Sequence, residues 1–406
     1  MRRNVAAVLL TSIITSFAGS LFGTVFNLYL LDLKYTLLEI SILNAISALM
    51  IFTLSRFFGR WADISGRKGF ILAGILIASL AYFIFFLILK ANAVNFINLA
   101  ILFAILGLAG SVGTGAHLAI TTTMMERNKT GTSFGVFLGS SSLGGALGSF
   151  LSGYLVDQYG MAIVSLIVAV LDFWGALLFS SLFVESVKPS KVPLGKIFKD
   201  SWGFKISGNI RALALIYLTA AISSFGISLY GLPFSIKMYK LLGSKTTYGF
   251  ITGITGLINT ITPYFAGRLS DKTSKEKILI GGLIARSLYM TYLAMTWDVV
   301  SIIIFAIVPF WVFIHIPLIS SITDFSTEGH ESETQSIGNI IMTISSIIGT
   351  LTGGIIANIV GVESNIKAIN TVLVIGAIIY FTTIAPATAL YKYKNNPSHK
   401  CTRRRV

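Results

Sequence analysis

Two histidines stand deep inside apolar stretches of this sequence. His117 lies nine residues before Glu126, and His315 lies nine residues before Asp324. On a helix rising about 1.5 Å per residue, each imidazole would sit roughly 13 Å from its acid, near mid-bilayer in a membrane-crossing segment. Imidazole at that depth can take up and release a proton near neutral pH, or hydrogen-bond a solute. The alternative is a neutral histidine bonded to a neighbouring helix for packing. Small polar residues recur at related spacing: Ser16, Ser20, Gly23 and Asn27; Gly110, Thr114, His117 and Thr121; and Ser224, Ser228, Gly231 and Ser235. Each set follows a 4-3-4 pattern, which keeps it on one face of a helix. Trp311 and His315 form a fourth set, between Pro309 and Pro317, prolines able to break or bend their helix.

Other chemistries lack their residues. The single cysteine, Cys401, lies in the basic tail, which excludes disulfides and a cysteine-rich metal or iron–sulfur site. Neither a Walker sequence nor a catalytic triad is present, so no enzyme activity, ATP-driven step, metal or cofactor is expected.

The elements that must position these residues are membrane spans. Of 406 residues, 54% are hydrophobic and 12% charged, against about 25% charged in an ordinary soluble domain. Charge and turn clusters divide the chain into twelve apolar segments: 5–31, 37–58, 70–89, 96–125, 132–156, 161–184, 210–236, 246–266, 278–296, 299–325, 335–359 and 368–391. Each is long enough to cross the hydrocarbon core as a helix. The first is too long for a signal-peptide core and is expected to stay as a span. An all-α polytopic membrane protein follows, with a six-span bundle over 1–184, a lysine-rich linker over 185–209, a second bundle over 210–391 and a basic tail over 392–406.

With both termini inside, cytoplasmic segments together with the span ends that meet them hold 24 of the 31 Lys and Arg residues, the excess expected on that side. The outer loops then carry Lys34, Lys90, Lys237, Lys240, Lys245 and Lys367, and Arg286 lies within a span. The net charge of +15 is thus explained by its distribution: the basic tail (Lys400, Arg403, Arg404 and Arg405) is a topology signal that touches anionic lipid headgroups, and no nucleic-acid partner is expected. The two bundles are copies. SFAGSLFG at 16–23 matches SFGISLYG at 224–231, and at the same 208-residue offset Gly59-Arg60 matches Gly267-Arg268 and Asp63 matches Asp271.

Between spans 2 and 3 the chain reads GRWADISGRKGFIL, with Gly59, Arg60, Asp63, Gly66, Arg67 and Lys68 at set intervals. Its counterpart, GRLSDKTSKEKIL, keeps Gly267, Arg268, Asp271 and Lys275. Glycine suits the tight turn, and the charges can pair with each other and with helix ends. The loop closely resembles the signature of the major facilitator superfamily, and with twelve spans in a six-plus-six repeat the resemblance covers nearly the whole chain. It implies charge clusters that latch the halves on the inner side. Here they would be Asp63–Arg67–Glu126 and Asp271–Lys275–Asp324. The bland reading is that these residues only mark topology and solvate a loop.

The resemblance also implies that spans 1, 4, 7 and 10 line a central path while spans 3, 6, 9 and 12 face lipid. The solute or proton pathway would then use Ser16, Ser20, Asn27, Thr114, His117, Thr121, Ser224, Ser228, Ser235, Trp311 and His315. Asp172 in span 6 and Arg286 in span 9 fall at the periphery. Span 5 carries Gly135, Gly144, Gly148 and Gly153 at the spacing of the family's antiporter signature, although Ser149 and Ser152 replace its proline and one glycine. Span 11 supplies Gly349, Gly353 and Gly354. Glycines so spaced also permit close helix packing. The expected function is alternating-access transport. A monomer in the cell membrane would export a small, neutral or weakly basic, partly apolar solute, with protons as the coupling partner. Uptake of a sugar-like nutrient and a non-transporting sensor or scaffold are the rivals.

Overall fold

The structure is a computed structural model describing residues 2–123, 130–185, 193, 195, 197, 208–327, 331–362 and 366–395. Helices fill almost all of it. Span 1 is Arg2–Asp32, span 2 Leu37–Ser65, span 3 Arg67–Lys90 and span 4 Phe96–Thr123. Spans 5 and 6 run as one helix, Thr130–Leu182, broken at Gly160, whose φ of 77° is open to glycine at little cost. Span 7 is Ile210–Leu242, span 8 Lys245–Lys272 and span 9 Lys275–Met295. Span 10 is split into Val299–Ile307 and Val312–Phe325 across Pro309, span 11 is Glu331–Ile359, and span 12 consists of Ile369–Thr382 and Ile384–Asn395.

Local chemistry sets several of these limits. Thr36 and Glu39 form a reciprocal capping box that starts span 2. Gly66, at φ 108°, both ends span 2 and begins span 3. A side chain there would be strained, and its Cβ would also meet the Glu185 carboxylate at 3.0 Å. Asp298 accepts hydrogen bonds from the Ser301 hydroxyl and amide at the start of span 10. Those bonds hold its carboxyl below the usual range. Pro309 interrupts the same span, and the carbonyls of Pro309 and Trp311 receive the first amides of its second part.

Nine stretches among the described residues are long and apolar enough to cross a membrane, one of them, Gly139–Leu182, containing two spans. Span 8 is helical but threonine-rich, and span 10 is divided by its proline. The expected twelve-span architecture in two repeats is therefore the observed one. Lys237 and Lys240 are corrections at finer grain. Expected in a loop, both lie inside the span 7 helix, which continues to Leu242.

By contacts the chain forms two compact units. One comprises 1–203, 238–261 and 306–308; the other comprises 204–237, 262–305 and 309–406. The end of span 7 and the first part of span 8 thus group with the first repeat. In that unit, Lys245 at the start of span 8 pairs with Asp32 at the end of span 1, and Tyr239 donates to the same carboxylate at 3.3 Å. Asp157 caps span 8 by accepting from the Thr246 amide at 3.1 Å and its hydroxyl at 2.7 Å.

Candidate functional site

The duplicated octamers do the same structural work twice. In the first repeat, a Cβ on Gly144 or Gly148 would collide with the carbonyl of Ile13 or Phe17 in span 1. In the second, a Cβ on Gly349 would collide with the carbonyl of Phe225, and one on Gly353 would lie 2.7 Å from that of Leu229. Phe17 and Phe225 are equivalent positions of the two octamers. Glycine at these points lets two helix backbones approach closely, the usual way to pack helices in lipid. Gly153 meets span 8 in the same manner at Lys245, while Gly354 is buried in span 11.

That packing fixes where the serines point. Ser16 shares a 2.7 Å hydrogen bond with Ser141, and Thr24 shares one of 2.8 Å with Ser149. The Ser20 hydroxyl would lie 3.1 Å from a Cβ on Gly145. Ser16 and Ser20 therefore belong to the seam between spans 1 and 5, where each such bond contributes roughly 0.6 kcal/mol. Ser224 and Ser228 are half-buried on span 7, and Ser235 bonds back to the Gly231 carbonyl at 3.0 Å. Gly23 and Gly231 behave alike, since a Cβ on either would meet nothing within 4 Å.

Gly23 opens onto a cavity of about 270 Å³ within the first repeat. Phe22 and Phe26 of span 1, Ile51 and Ala48 of span 2, and Phe103 and Leu106 of span 4 form its apolar wall. Asn27, Asn44 and Ser47 supply its polar groups. The Asn44 amide donates to the Asn27 side-chain oxygen at 3.3 Å and to the Ile40 carbonyl at 2.9 Å. Phe22 and Phe26 stack with centroids 4.3 Å apart, and Phe103 lies 5.6 Å from Phe26. Among the described residues, the lining carries no formal charge. Such a site can hold an apolar or aromatic body and orient it with a few polar contacts. Asn27, expected on a central path, lies on this cavity. Asn44 was not expected, because span 2 was not among the path-lining spans, although an asparagine inside a hydrophobic segment was a visible signal.

At the Asp63 end of the first repeat, Arg67 clamps the Asp63 carboxylate with two nitrogens, at 2.8 and 2.7 Å. Glu185 accepts from the Lys68 amide at 2.8 Å, and Lys68 Nζ donates to the Ser180 carbonyl at 2.8 Å. An acid at a helix start is favoured by the helix dipole, so Glu185 joins span 6 to span 3 rather than only opening a linker. In the second repeat, Lys275 pairs with Asp324 at 2.8 Å. Beside it, buried Glu276 pairs with Lys394 at 2.5 Å and accepts from Ser274 at 2.8 Å. Gly59 and Arg60 lie in the last turns of span 2, and Arg268 is exposed on span 8.

The second repeat holds its own cluster. Trp311 and His315 lie one turn apart with ring centroids 6.0 Å apart. The Arg286 guanidinium stands 5.6 Å from the Tyr380 ring centroid, and its charge acts on Tyr230, Tyr289 and His315 as well. Arg286 thus faces aromatic side chains of its own bundle. Lys237 is fully buried. Its ammonium donates to the carbonyls of Leu293 and Ala294 at 2.9 and 3.1 Å and to Asn370 Oδ1 at 2.8 Å, with the Trp297 ring centroid 4.6 Å away. The two carbonyls belong to the last turn of span 9, so Lys237 caps that helix from a neighbour.

Several expected residues lie outside what is described: Glu126 altogether, and the side chains at Thr114, His117, Thr121, Gly135, Gly267 and Asp271.

The sequence profile of the Major Facilitator Superfamily matches residues 8–216 and again 216–405. The chain belongs to that superfamily. Each of the two matches contains one copy of the octamer. The chain is 28% identical over 313 residues to a protein named multidrug resistance protein MdtG from Salmonella arizonae, covering 73% of this chain and 74% of that one. It is 27% identical over 236 residues to the protein of the same name from Klebsiella pneumoniae, covering 57% and 55%. Among solved structures, a mutant of the nucleoside transporter NupG superposes with a TM-score of 0.74 at 13% identity, covering 95% of this chain and all of that one. A bacterial homologue of the human lysosomal transporter Spinster, inward-facing and occupied, gives 0.70 at 13% identity over 95% of each chain. At such identity these structures establish the fold alone. This superfamily member is an integral, multi-pass membrane transporter of small solutes and not an enzyme.

Proposed function

We propose that this chain exports a small, partly apolar solute, neutral or weakly basic, by alternating access across the cell membrane. Both termini lie in the cytoplasm, and a single chain is the working unit. One observation carries this reading: a cavity walled by Phe22, Phe26 and Phe103 offers an amide pair, Asn27–Asn44, and no formal charge. An aromatic wall favours flat apolar bodies and weak cations over the ring faces. Relatives named for multidrug resistance support the direction of transport. Alternating access would expose the cavity to each side of the membrane in turn. The charge pairs Asp63–Arg67 and Lys275–Asp324 would then break and re-form as latches.

The amide pair also favours a second reading, uptake of a hydroxyl-bearing nutrient, since amides bond hydroxyl groups in pairs. Liposomes carrying the purified protein separate the two. Ethidium, a flat aromatic cation, is expected to move and a hexose is not, with Asn44→Leu slowing ethidium. Hexose movement without ethidium movement would overturn the export reading.

A further inference from the structure

Span 6 divides cleanly into two faces. Val170, Phe173, Trp174 and Leu177 are exposed, as a lipid-facing stripe should be, whereas Ser165, Val168, Ala169, Ala176 and Phe179 are buried. Asp172 belongs to the buried stripe, with 5% of its surface accessible. The chain places it at the middle of the span, with Gly160 and Leu182 as the two ends. At about 1.5 Å per residue, those ends lie roughly 18 and 15 Å away. Neighbouring helices close over it on either side. One turn before it, Ser79 of span 3 donates to the Ala169 carbonyl at 2.8 Å. One turn after it, a Cβ on Gly175 would lie 3.3 Å from Ile14 and 3.7 Å from Thr15 of span 1.

A carboxylate in such a place needs a counter-charge or donors, and the described residues give it neither an ion pair nor a hydrogen bond. Span 1 has no titratable side chain between residues 4 and 28. Span 3 carries Arg67, Lys68 and Lys90 at its ends and Tyr82 in its middle, and Tyr82 is the titratable group on which the Asp172 charge acts. Span 4, which also touches this helix, has His117, whose side chain lies outside the described residues. Holding a bare carboxylate at mid-bilayer is costly, and such residues face bundle interiors to serve ion or proton movement. The group that removes this cost without rebuilding the site is a proton.

Tyr82 also leads to the cavity. Its ring meets Phe22 edge-on at 4.8 Å, and Phe22 forms part of the cavity wall. Tyr82 thus packs against a residue of the cavity wall and also carries the field of the buried carboxyl. We propose that Asp172 is a reversible proton-binding site, and that Tyr82 and Phe22 couple its proton occupancy to solute in the first repeat's cavity. The second half rests on the reading of that cavity as a solute site. The step is one of acid–base chemistry alone: a proton adds to one carboxylate oxygen and later leaves to water, with no bond made to solute. When Asp172 exchanges its charge for a proton, the field on the Tyr82 hydroxyl changes, and the ring that braces Phe22 responds.

Infrared difference spectroscopy on the full chain in liposomes, titrated with acid and base, tests both halves. The wild-type protein is expected to show a titrating protonated-carboxyl band that is lost in Asp172→Asn and returns, displaced, in Asp172→Glu. Adding ethidium is expected to perturb that band in the wild type, and Tyr82→Phe is expected to keep the band while losing the ethidium response. An unchanged titration in Asp172→Asn would overturn the proton site. Should ethidium bind by fluorescence and leave the band untouched, the coupling through Tyr82 would be overturned. If ethidium fails to bind the wild-type protein, the solute reading and its coupling fall together, while the titration still decides whether Asp172 takes a proton.

Discussion

The two repeats are alike where backbones meet and unlike where charge is buried. Phe17 and Phe225 present equivalent carbonyls to Gly148 and Gly349, and Gly23 and Gly231 both face open space. Away from that seam the chemistry diverges. Among the described residues, the first repeat buries a single acid, Asp172, and opens an uncharged amide-bearing cavity. The second sets Arg286 among tyrosines beside His315 and buries Lys237 as a helix cap. Even shared contacts are re-signed: at the start of span 3 the acid comes from Glu185, whereas at the start of span 9 the helix supplies Glu276 and the partner is Lys394. Duplication has fixed a scaffold of close helix contacts, and the polar groups have been redistributed within it.

The sharpest way to break this comparison is to overfill the shared seam. Gly148→Leu and Gly349→Leu each place a side chain against a backbone carbonyl, which cannot yield as a flexible side chain would. Overpacking of this kind costs about 1–3 kcal/mol and occasionally more. Both variants are expected to lower the thermal unfolding temperature in detergent by similar amounts. A large loss in one with none in the other would show that the octamers no longer do equivalent work.

A second effect, confined to one repeat, should expose the asymmetry. Lys237→Met keeps the apolar stem but leaves two carbonyls of span 9 and Asn370 without their donor. Each buried group left unsatisfied costs about 1–3 kcal/mol. Lys240→Met, at an exposed site one turn away, is expected to change the unfolding temperature little. Equal behaviour of the two lysine variants would remove the capping role.

Much of the scaffold was legible in the sequence, because segment length and apolar content report directly on membrane crossing, and a 208-residue offset with identical small residues reports on duplication. The interval from Gly59 to Lys68 gave the tight turn and the Asp63–Arg67 pair. What hydropathy does not give is rotation about the helix axis. Asp172 and Arg286 were assigned to the periphery because their spans touch lipid, yet each side chain belongs to the face turned toward its own bundle. Ser16 and Ser20 satisfied a one-face pattern, but that face meets span 5. A stripe of small residues has the same spacing whether it lines a path or a helix seam. Lys237 was hidden differently: a lysine near the end of an apolar run reads as a loop charge unless the helix is known to continue. Glu185, first residue of an apparent linker, gave no sign that it would reach the start of span 3.

The central claim is that the amide-bearing cavity of the first repeat recognises the solute. Equilibrium binding of ethidium to the purified protein, read by fluorescence, tests it most directly in Asn44→Leu and Phe26→Ala against Ser228→Ala in the second repeat. Loss of one hydrogen bond is worth about 0.5–1.5 kcal/mol, so Asn44→Leu is expected to weaken binding by up to roughly tenfold. Phe26→Ala is expected to weaken it further and Ser228→Ala to leave it near wild type. Wild-type affinity in both cavity variants, with a loss only in Ser228→Ala, would contradict the account.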